Sequence, residues 1–511
     1  MPASASHLAA NGSSHAWAYR PTTAFGELTS GVAILPVHGF ADHGLGLPLD
    51  IEEVIGSELL RKSTSSGELD HVPVIFPPVR WGLSPYQSGL AALDPETLLS
   101  MLNELSLGIK QAGYRKLVFW NTSPWNAEII DVASRDIRIN LGLQTFVVDI
   151  AGLGLSLHPR SQDRADVQSI GAYLTGTTPG SITVGEPVDT KFRPGNWSVL
   201  PPVAGISSVE SEARLDTAAL RLTGLWQEIF DRPGLDTGGQ TESPSESSTL
   251  PEADCPYPAG RRQNYLPGLT ATALHDLPDK GKKLVIIPVG AIEQHGAHLP
   301  VGVDSMIAEA ASAEISRRLP NQVWFAPTIT YGKSNEHADY PGTVGLSANT
   351  LRRTVKALVQ QLHAEGFRQF ALLNTHGGNS SVLVYTLREL QVELQVRAGM
   401  LRIPTTDELS PQERTWGFHA GEWETSIMLA IAPETVRMQE AICHYPAQLD
   451  DPGELRPENA PAVFSWQTRD IAPGGVMGDA TLATAAKGER WLQAAMDELA
   501  DQIRTLPQWD A

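Results

Sequence analysis

The strongest constraint on the fold is that the chain repeats itself. ILPVHGFADHGLGLPLDIE from Ile34 returns as IIPVGAIEQHGAHLPVGVD from Ile286, so that Pro36, His43, Gly44 and Pro48 fall opposite Pro288, His295, Gly296 and Pro300. PPVRWGLS from Pro77 returns as PTITYGKS from Pro327, and GYRKLVFWNTSPWN from Gly113 as GFRQFALLNTHGGN from Gly366. The offset stays between 250 and 255 residues throughout. Ordered matches at one offset mark a duplicated unit, and 511 residues are too many for one hydrophobic core. Between the copies, Pro233 to Gly260 is rich in Pro, Gly, Ser and acid and poor in large apolar residues, too poor to offset the entropy of ordering it. The division read from this is a disordered arm at 1–24, a domain at 25–232, a flexible linker at 233–262 and a second domain at 263–511.

Each copy alternates strand and helix. LVIIPVG is a short apolar run closed by Gly, the pattern of a strand buried on both faces. Ser305 to Leu319 carries apolar residues at helical spacing and stops before Pro320, and QVWFAPTI reads as a strand. Asn349 is the expected cap of a helix reaching about Glu365, with Gly366 as its stop; FALLNT is the next strand, and a further helix begins near Ser380. This order predicts an α/β fold of two layered domains with mainly parallel sheets, with sites where strands end and loops begin.

Composition narrows the function. A net charge of −20 without a basic run argues against nucleic acid or an anionic membrane as partner. No stretch of 18 apolar residues predicts a membrane span, and MPASASHLAANGSSH lacks the basic and apolar regions of a secretory signal. Two cysteines, Cys255 and Cys443, give no disulfide framework and fit a cytoplasmic setting.

Four polar clusters in the second copy fall at strand ends. EQHGAHLPVGVD holds Glu293, His295, His298 and Asp304; SNEHADYPGT holds Glu336, His337 and Asp339; NTHGGN holds His376; HAGEWETS holds His419, Glu422 and Glu424. Mixed imidazole and carboxylate donors suit Zn²⁺, Mn²⁺ or Fe²⁺ rather than Ca²⁺ or Mg²⁺. Two such ions need a bridging carboxylate, for which Asp304 is short and stiff. The bland readings are that a single loop His is a hydrogen-bonded structural residue, that Gly377 and Gly378 serve a tight turn, and that Glu422 complements a helix dipole.

With those motifs, and with GGVMGDATLATAAKG from Gly474, the sequence over residues 283–505 resembles the creatininase (creatinine amidohydrolase) family. The resemblance implies an α/β fold, two divalent metal ions and hydrolysis of a non-peptide C–N amide bond in a cyclic amide, formamide or other small-molecule amide, by a metal-activated hydroxide. It implies Glu293 and His376 as ligands of one ion, His295 as ligand of the other, Asp304 as the bridge and His419 as general acid/base. Creatinine-hydrolysing members carry a carboxylate where this chain has Gly378, which makes creatinine itself a doubtful substrate. A carboxylate of HAGEWETS is expected to fill the gap, Glu424 in preference to Glu422, leaving Glu422 as a catalytic candidate. Trp416, Trp423 and His337 are candidate substrate contacts, core packing being the alternative for the two tryptophans.

The first copy has Ala41, Glu52, Ser123, Arg164 and Ser169 opposite Glu293, Asp304, His376, His419 and Glu424; only His43 remains opposite His295. It is expected to keep the fold without catalytic metal, either completing an oligomer or, through Trp81, Trp120 and Trp125, shaping the active site. Duplication does the work of one dimer in a family of hexamers, so a trimer of two-domain chains, or a pseudo-dimeric monomer, is expected. The competing functions are a non-catalytic metal-binding scaffold and a metal-dependent isomerase or lyase.

Overall fold

The computed structural model describes residues 18, 20, 31–43, 46–64, 73–84, 90–158, 161, 163–176, 205–233, 264–445, 455–456, 462–463 and 465–505. Apart from Pro233 the expected linker lies outside them, as does the expected arm at 1–24 except Ala18 and Arg20.

The N-terminal half runs β1 (Val32–Val37), α1 (Ile51–Thr64), β2 (Val74–Ile75), α2 (Pro95–Gln111), β3 (Lys116–Asn121), α3 (Ala127–Leu141), β4 (Gln144–Asp149), α4 (Arg164–Thr175) and α5 (Ser208–Asp231). In the C-terminal half come β5 (Leu284–Val289), α6 (Val303–Arg318), β6 (Val323–Phe325), α7 (Ala348–Ala364), β7 (Gln369–Asn374), α8 (Ser380–Leu394), β8 (Arg397–Leu401), α9 (Pro411–Trp416), α10 (Glu422–Ile431) and α11 (Ala485–Thr505). Each half builds a four-stranded parallel sheet, of order β2-β1-β3-β4 in one and β6-β5-β7-β8 in the other. Even the register is copied: Val32 to Val37 pair with Lys116 to Asn121, and Leu284 to Val289 with Gln369 to Asn374. The parallel α/β expectation is met in both halves.

Local chemistry sets the element ends. All six residues of β1 are buried, as a central parallel strand requires. Asp94 caps α2 by accepting from the Thr97 amide, with Pro95 in the first turn. Its counterpart α7 is capped by Ser347, which accepts from the Thr350 amide, two residues before the expected Asn349. Two residues that both cap well, separated by Ala348, left the start undetermined from sequence.

Three apolar cores result. One lies outside each sheet: α1, α4 and α5 cover the first on Ile34, Val118 and Trp226, and α6, α10 and α11 cover the second on Ile286, Leu373 and Met496. The third is shared, for Leu35, Leu105 and Phe119 of one half join Val289, Leu358 and Phe367 of the other in a single cluster. There α2 packs on α7, and Glu104 accepts from the Ser347 amide (2.8 Å) and the Thr350 hydroxyl (2.8 Å). Buried between the halves, Arg80 is forked onto Glu53 (2.8–2.9 Å) and donates to Thr330 (3.3 Å), while the Tyr331 hydroxyl donates to the Pro77 carbonyl (2.6 Å). The two residues placed from the expected disordered arm also reach across: the amides of Val301 and Gly302 donate to the carbonyls of Arg20 (2.9 Å) and Ala18 (2.8 Å). Gly302 leaves room for this, since a Cβ there would lie 2.6 Å from that of Ala18.

Candidate metal centre

The loops after β5 and β7 and the start of α6 converge on one buried point. Glu293 and His295 follow β5, and Gly296, at φ +69°, turns the chain back toward the sheet. Asp304 sits in the first turn of α6, where the helix dipole favours a carboxylate. The Thr375 hydroxyl, after β7, donates to the Asp304 carbonyl (2.9 Å), tying that turn to the His376 loop. Asn374 donates to the His376 carbonyl (2.7 Å), and Asn379 to the Gly290 carbonyl (3.0 Å).

Five side chains meet there. His376 Nδ1 lies 3.2 Å from Glu293 Oε1 and 3.5 Å from Asp304 Oδ2. His295 Nε2 lies 3.8 Å from Asp304 Oδ1, 3.9 Å from Glu424 Oε2 and 4.0 Å from Glu293 Oε1. Two atoms bound to one ion at about 2.0–2.2 Å stand roughly 3.3–3.6 Å apart in tetrahedral geometry and at most about 4.4 Å apart in any geometry, so all five spacings are short enough for the atoms to share an ion. The two oxygens of Asp304 face different imidazoles. Glu293, Asp304 and His376 form one group able to hold an ion, His295, His419 and Glu424 a second, and Glu293, His337 and His419 a third.

The tautomers agree with this. His295 Nδ1 donates to the Glu293 carbonyl (3.0 Å), which leaves Nε2 a bare lone pair facing the centre. His376 Nε2 donates to the Lys333 carbonyl (2.9 Å), which presents Nδ1. Glu293 Oε2, His295 Nε2 and Asp304 Oδ2 are buried and find no hydrogen-bond partner among the described residues. Buried polar atoms are seldom left so, and three at one point fit a cation as the missing partner.

Electrostatics point the same way. Burial alone would raise the Glu293 carboxyl, but His337, His376 and His419 hold it well below the usual range. Asp304 is pushed well above its range by burial and by the nearby Glu293, Glu424 and Glu336. Burial would lower His376, yet Glu293 and Asp304 lift it to about 10. His295 is held well below its ordinary value by burial and by His419. Asp304 and His376 thus hold protons in this dry pocket that divalent cations would replace.

Not every expected site residue joins. Glu422 does not: one position past Gly421 on α10, it points away from Glu424 and takes Lys487 Nζ (2.5 Å). Residues two apart on a helix differ by about 200°, so only one of the pair can face the centre, and it is Glu424. His337, expected as a substrate contact, stands instead inside the cluster with Nε2 3.5 Å from Glu293 Oε1, and burial holds it down to about 3. Trp423 packs on the outer core of this half, and Trp416 is buried at the end of α9. His298 is buried against Thr425 (2.9 Å), and Asp339 is exposed. The gap at Gly378 has its own cause: a Cβ there would fall on Glu336 Oε1 and lie 2.5 Å from His376 Nε2, so Glu336 holds the room a side chain would need.

Sequence reading missed Gln294. Its amide Nε2 donates to His337 Nδ1 (2.8 Å) and lies 3.0 Å from His419 Nε2, while its Oε1 accepts from the Gly296 amide (2.9 Å). Only its place between Glu293 and His295 could have drawn notice.

In the first half the corresponding ground is closed. Glu52 takes His43 Nε2 (2.9 Å) on one oxygen and the Gly39 amide (2.5 Å) on the other, all buried. No ligand group of three occurs in this half among the described residues. Trp81 and Trp120 are core residues, and Trp125 lines a cavity of about 370 Å³ in its own half with Leu93, Pro124 and His158.

The family model described as creatininase, creatinine amidohydrolase, matches residues 21–172 and again 268–503. The chain belongs to the creatininase family. Both segments lie on the two halves of the duplication, so each half is a creatininase unit. Relatives include the mycofactocin precursor peptide peptidase of Mycolicibacterium smegmatis, 31% identical over 43% of this chain and 84% of that protein. Others are the creatinine amidohydrolase of Pseudomonas putida, 31% identical over 44% and 90%, and the 3-dehydro-scyllo-inosose hydrolase of Thermotoga maritima, 28% identical over 44% and 77%. A solved manganese form of creatininase is 28% identical over 47% of this chain and 97% of that one, with a TM-score of 0.40. The curated relatives are hydrolases by name, and no helix among the described residues is long and apolar enough to cross a membrane.

Proposed function

We propose that this member of the creatininase family is a metal-dependent hydrolase of an amide C–N bond, with its one catalytic centre in the C-terminal half. The observation that carries the reading is Asp304, whose two oxygens face His376 and His295 separately (3.5 and 3.8 Å). Glu293, Asp304 and His376 would hold one divalent ion, and His295, Asp304 and Glu424 the second. Bound there, such ions lower the pKa of a water and polarise a carbonyl.

The chain's own residues do the rest. His419 Nε2 donates to the Gln294 carbonyl (2.9 Å), which turns Nδ1 toward the centre, 3.6 Å from Glu293 Oε1. From there Nδ1 carries a proton to the leaving nitrogen. Burial of the cluster keeps bulk water from competing. Among the described residues the first half contributes no ligand, and it supports the catalytic half through the shared core. The substrate is a small amide, and because one relative is named a peptidase a short peptide belongs in the assay panel beside cyclic amides and formamides. The assembly this reading expects is a trimer of two-domain chains or a pseudo-dimeric monomer.

The test is metal content and turnover. The wild-type chain should carry two divalent ions and release amine from one member of the panel. Glu293→Ala and His376→Ala should lose an ion and the activity; full activity in both overturns the reading. His419→Ala should keep both ions and lower kcat by about 10²–10⁴-fold.

A further inference from the structure

A buried carboxylate outside the cluster ties together the elements beside the loop that bears His419 and Glu424. Glu413 lies in α9 and is 2% exposed. Its Oε1 accepts from the Glu422 amide (2.8 Å), the first N–H of α10, and its Oε2 from the Asp479 amide (3.0 Å) and the Tyr445 hydroxyl (2.7 Å). Among the described residues these partners are two backbone amides and a phenol, with no basic side chain. Burying a charge without a counter-ion costs stability that a neutral residue would spare, so its presence calls for a use.

Three glycines enclose it. A Cβ on Gly417 or Gly421 would fall on the carboxylate, and one on Gly478 would lie 2.6 Å from Oε1. What Glu413 joins is the arm bearing His419 and Glu424. The arm is short and strained: Ala420 takes φ +54°, and its amide donates to Glu424 Oε2 (2.5 Å). His419 exchanges backbone bonds with Met477 (3.2 and 2.9 Å), next to Gly478. One carboxylate therefore pins the start of α10, the Gly478–Asp479 strand and Tyr445 around the loop that aims both side chains. Glu293, Asp304 and His376 hang on other loops, with which Glu413 makes no hydrogen bond among the described residues.

We infer that Glu413 is a positioning residue for the second ion alone: it sets Glu424 and His419 against His295 while leaving the Glu293–Asp304–His376 site intact. This rests on the two-ion reading above. The experiment uses the full chain, stripped with chelator and titrated with Zn²⁺, in three forms: wild type, Glu413→Gln and Gly421→Ala. Glu413→Gln sets an amide NH₂ against groups that need an acceptor. Gly421→Ala keeps the carboxylate and displaces it, at a residue whose φ of −85° suits alanine.

Both variants should bind the first Zn²⁺ as wild type does and the second about 10–100-fold more weakly, the usual cost of losing an outer partner of a ligand. The metal-free melting temperature of Glu413→Gln should be unchanged or higher. Wild-type affinity for the second ion in either variant overturns the inference. So does weakening of both sites together with a lower melting temperature, which marks a general structural role. A wild-type chain that takes up fewer than two ions overturns the reading beneath it instead.

Discussion

Metal binding should have to displace a proton from His376. In the metal-free protein Glu293 and Asp304 hold that imidazole protonated up to about pH 10, and the nitrogen facing them, Nδ1, is the atom a cation would need. At pH 8 roughly 99% of chains then carry the proton, and each proton released on binding makes the apparent affinity rise about tenfold per pH unit. His295, the other imidazole ligand, is held well below its ordinary value and has no proton to lose. The expected affinity of the Glu293–Asp304–His376 site thus rises about 100-fold from pH 7 to pH 9, and more steeply wherever Asp304, itself pushed up, still holds its proton. The sign follows from His376 being raised: protons compete below pH 10, so affinity falls as pH falls. Chelator-competition titrations at pH 7, 8 and 9 measure the slope. Calorimetry in two buffers of different protonation enthalpy counts the proton directly, at about one per first ion at pH 8. A slope of zero above pH 7, as for an imidazole near its ordinary pKa of ~6.5, would refute the argument that this cluster is built to bear positive charge.

Other outcomes separate the residues by role. Glu424→Gln should leave one ion per chain, whereas Glu422→Gln, which loses only its pair with Lys487, should leave two; equal metal content in the two variants would contradict the helix-phase argument. His43→Ala and Glu52→Gln together should change neither metal content nor kcat, both read on the purified chain, since that pair is closed on itself. Arg80→Ala should cost about 3–5 kcal/mol in denaturant unfolding by stranding Glu53, while replacing both by apolar residues should cost far less; a small loss for the single change would show that water reaches Glu53.

The repeat made the fold legible. Strands such as VAILPV and LVIIPV are apolar on both faces because helices cover both, and that pattern survives without knowing the tertiary structure. The first-named donors were legible for a related reason: Glu293, His295, Asp304 and His376 all fall at strand or helix ends, where side chains converge. What was not legible depended on angles and on contacts distant in sequence. Glu422 and Glu424 cannot be told apart until the start of α10 is known to the residue. His337 looked like a pocket residue because its depth is set by Thr468 (2.8 Å) and Gln294, far from it along the chain. Glu413 had no motif at all, only three glycines around it that come together after folding.

The single apolar core that α2 and α7 share has a consequence for the covalent link between the halves. Each half finishes its interior with residues of the other, so cutting the connection between 233 and 264 leaves two fragments with their contacts intact. What changes is the molecularity of unfolding. In the intact chain the partner is always present at an effective concentration set by the tether; after the cut, stability depends on fragment concentration and falls on dilution. Loss of ligands from the first half therefore carries no licence to delete it: the C-terminal half would be left with an open apolar face.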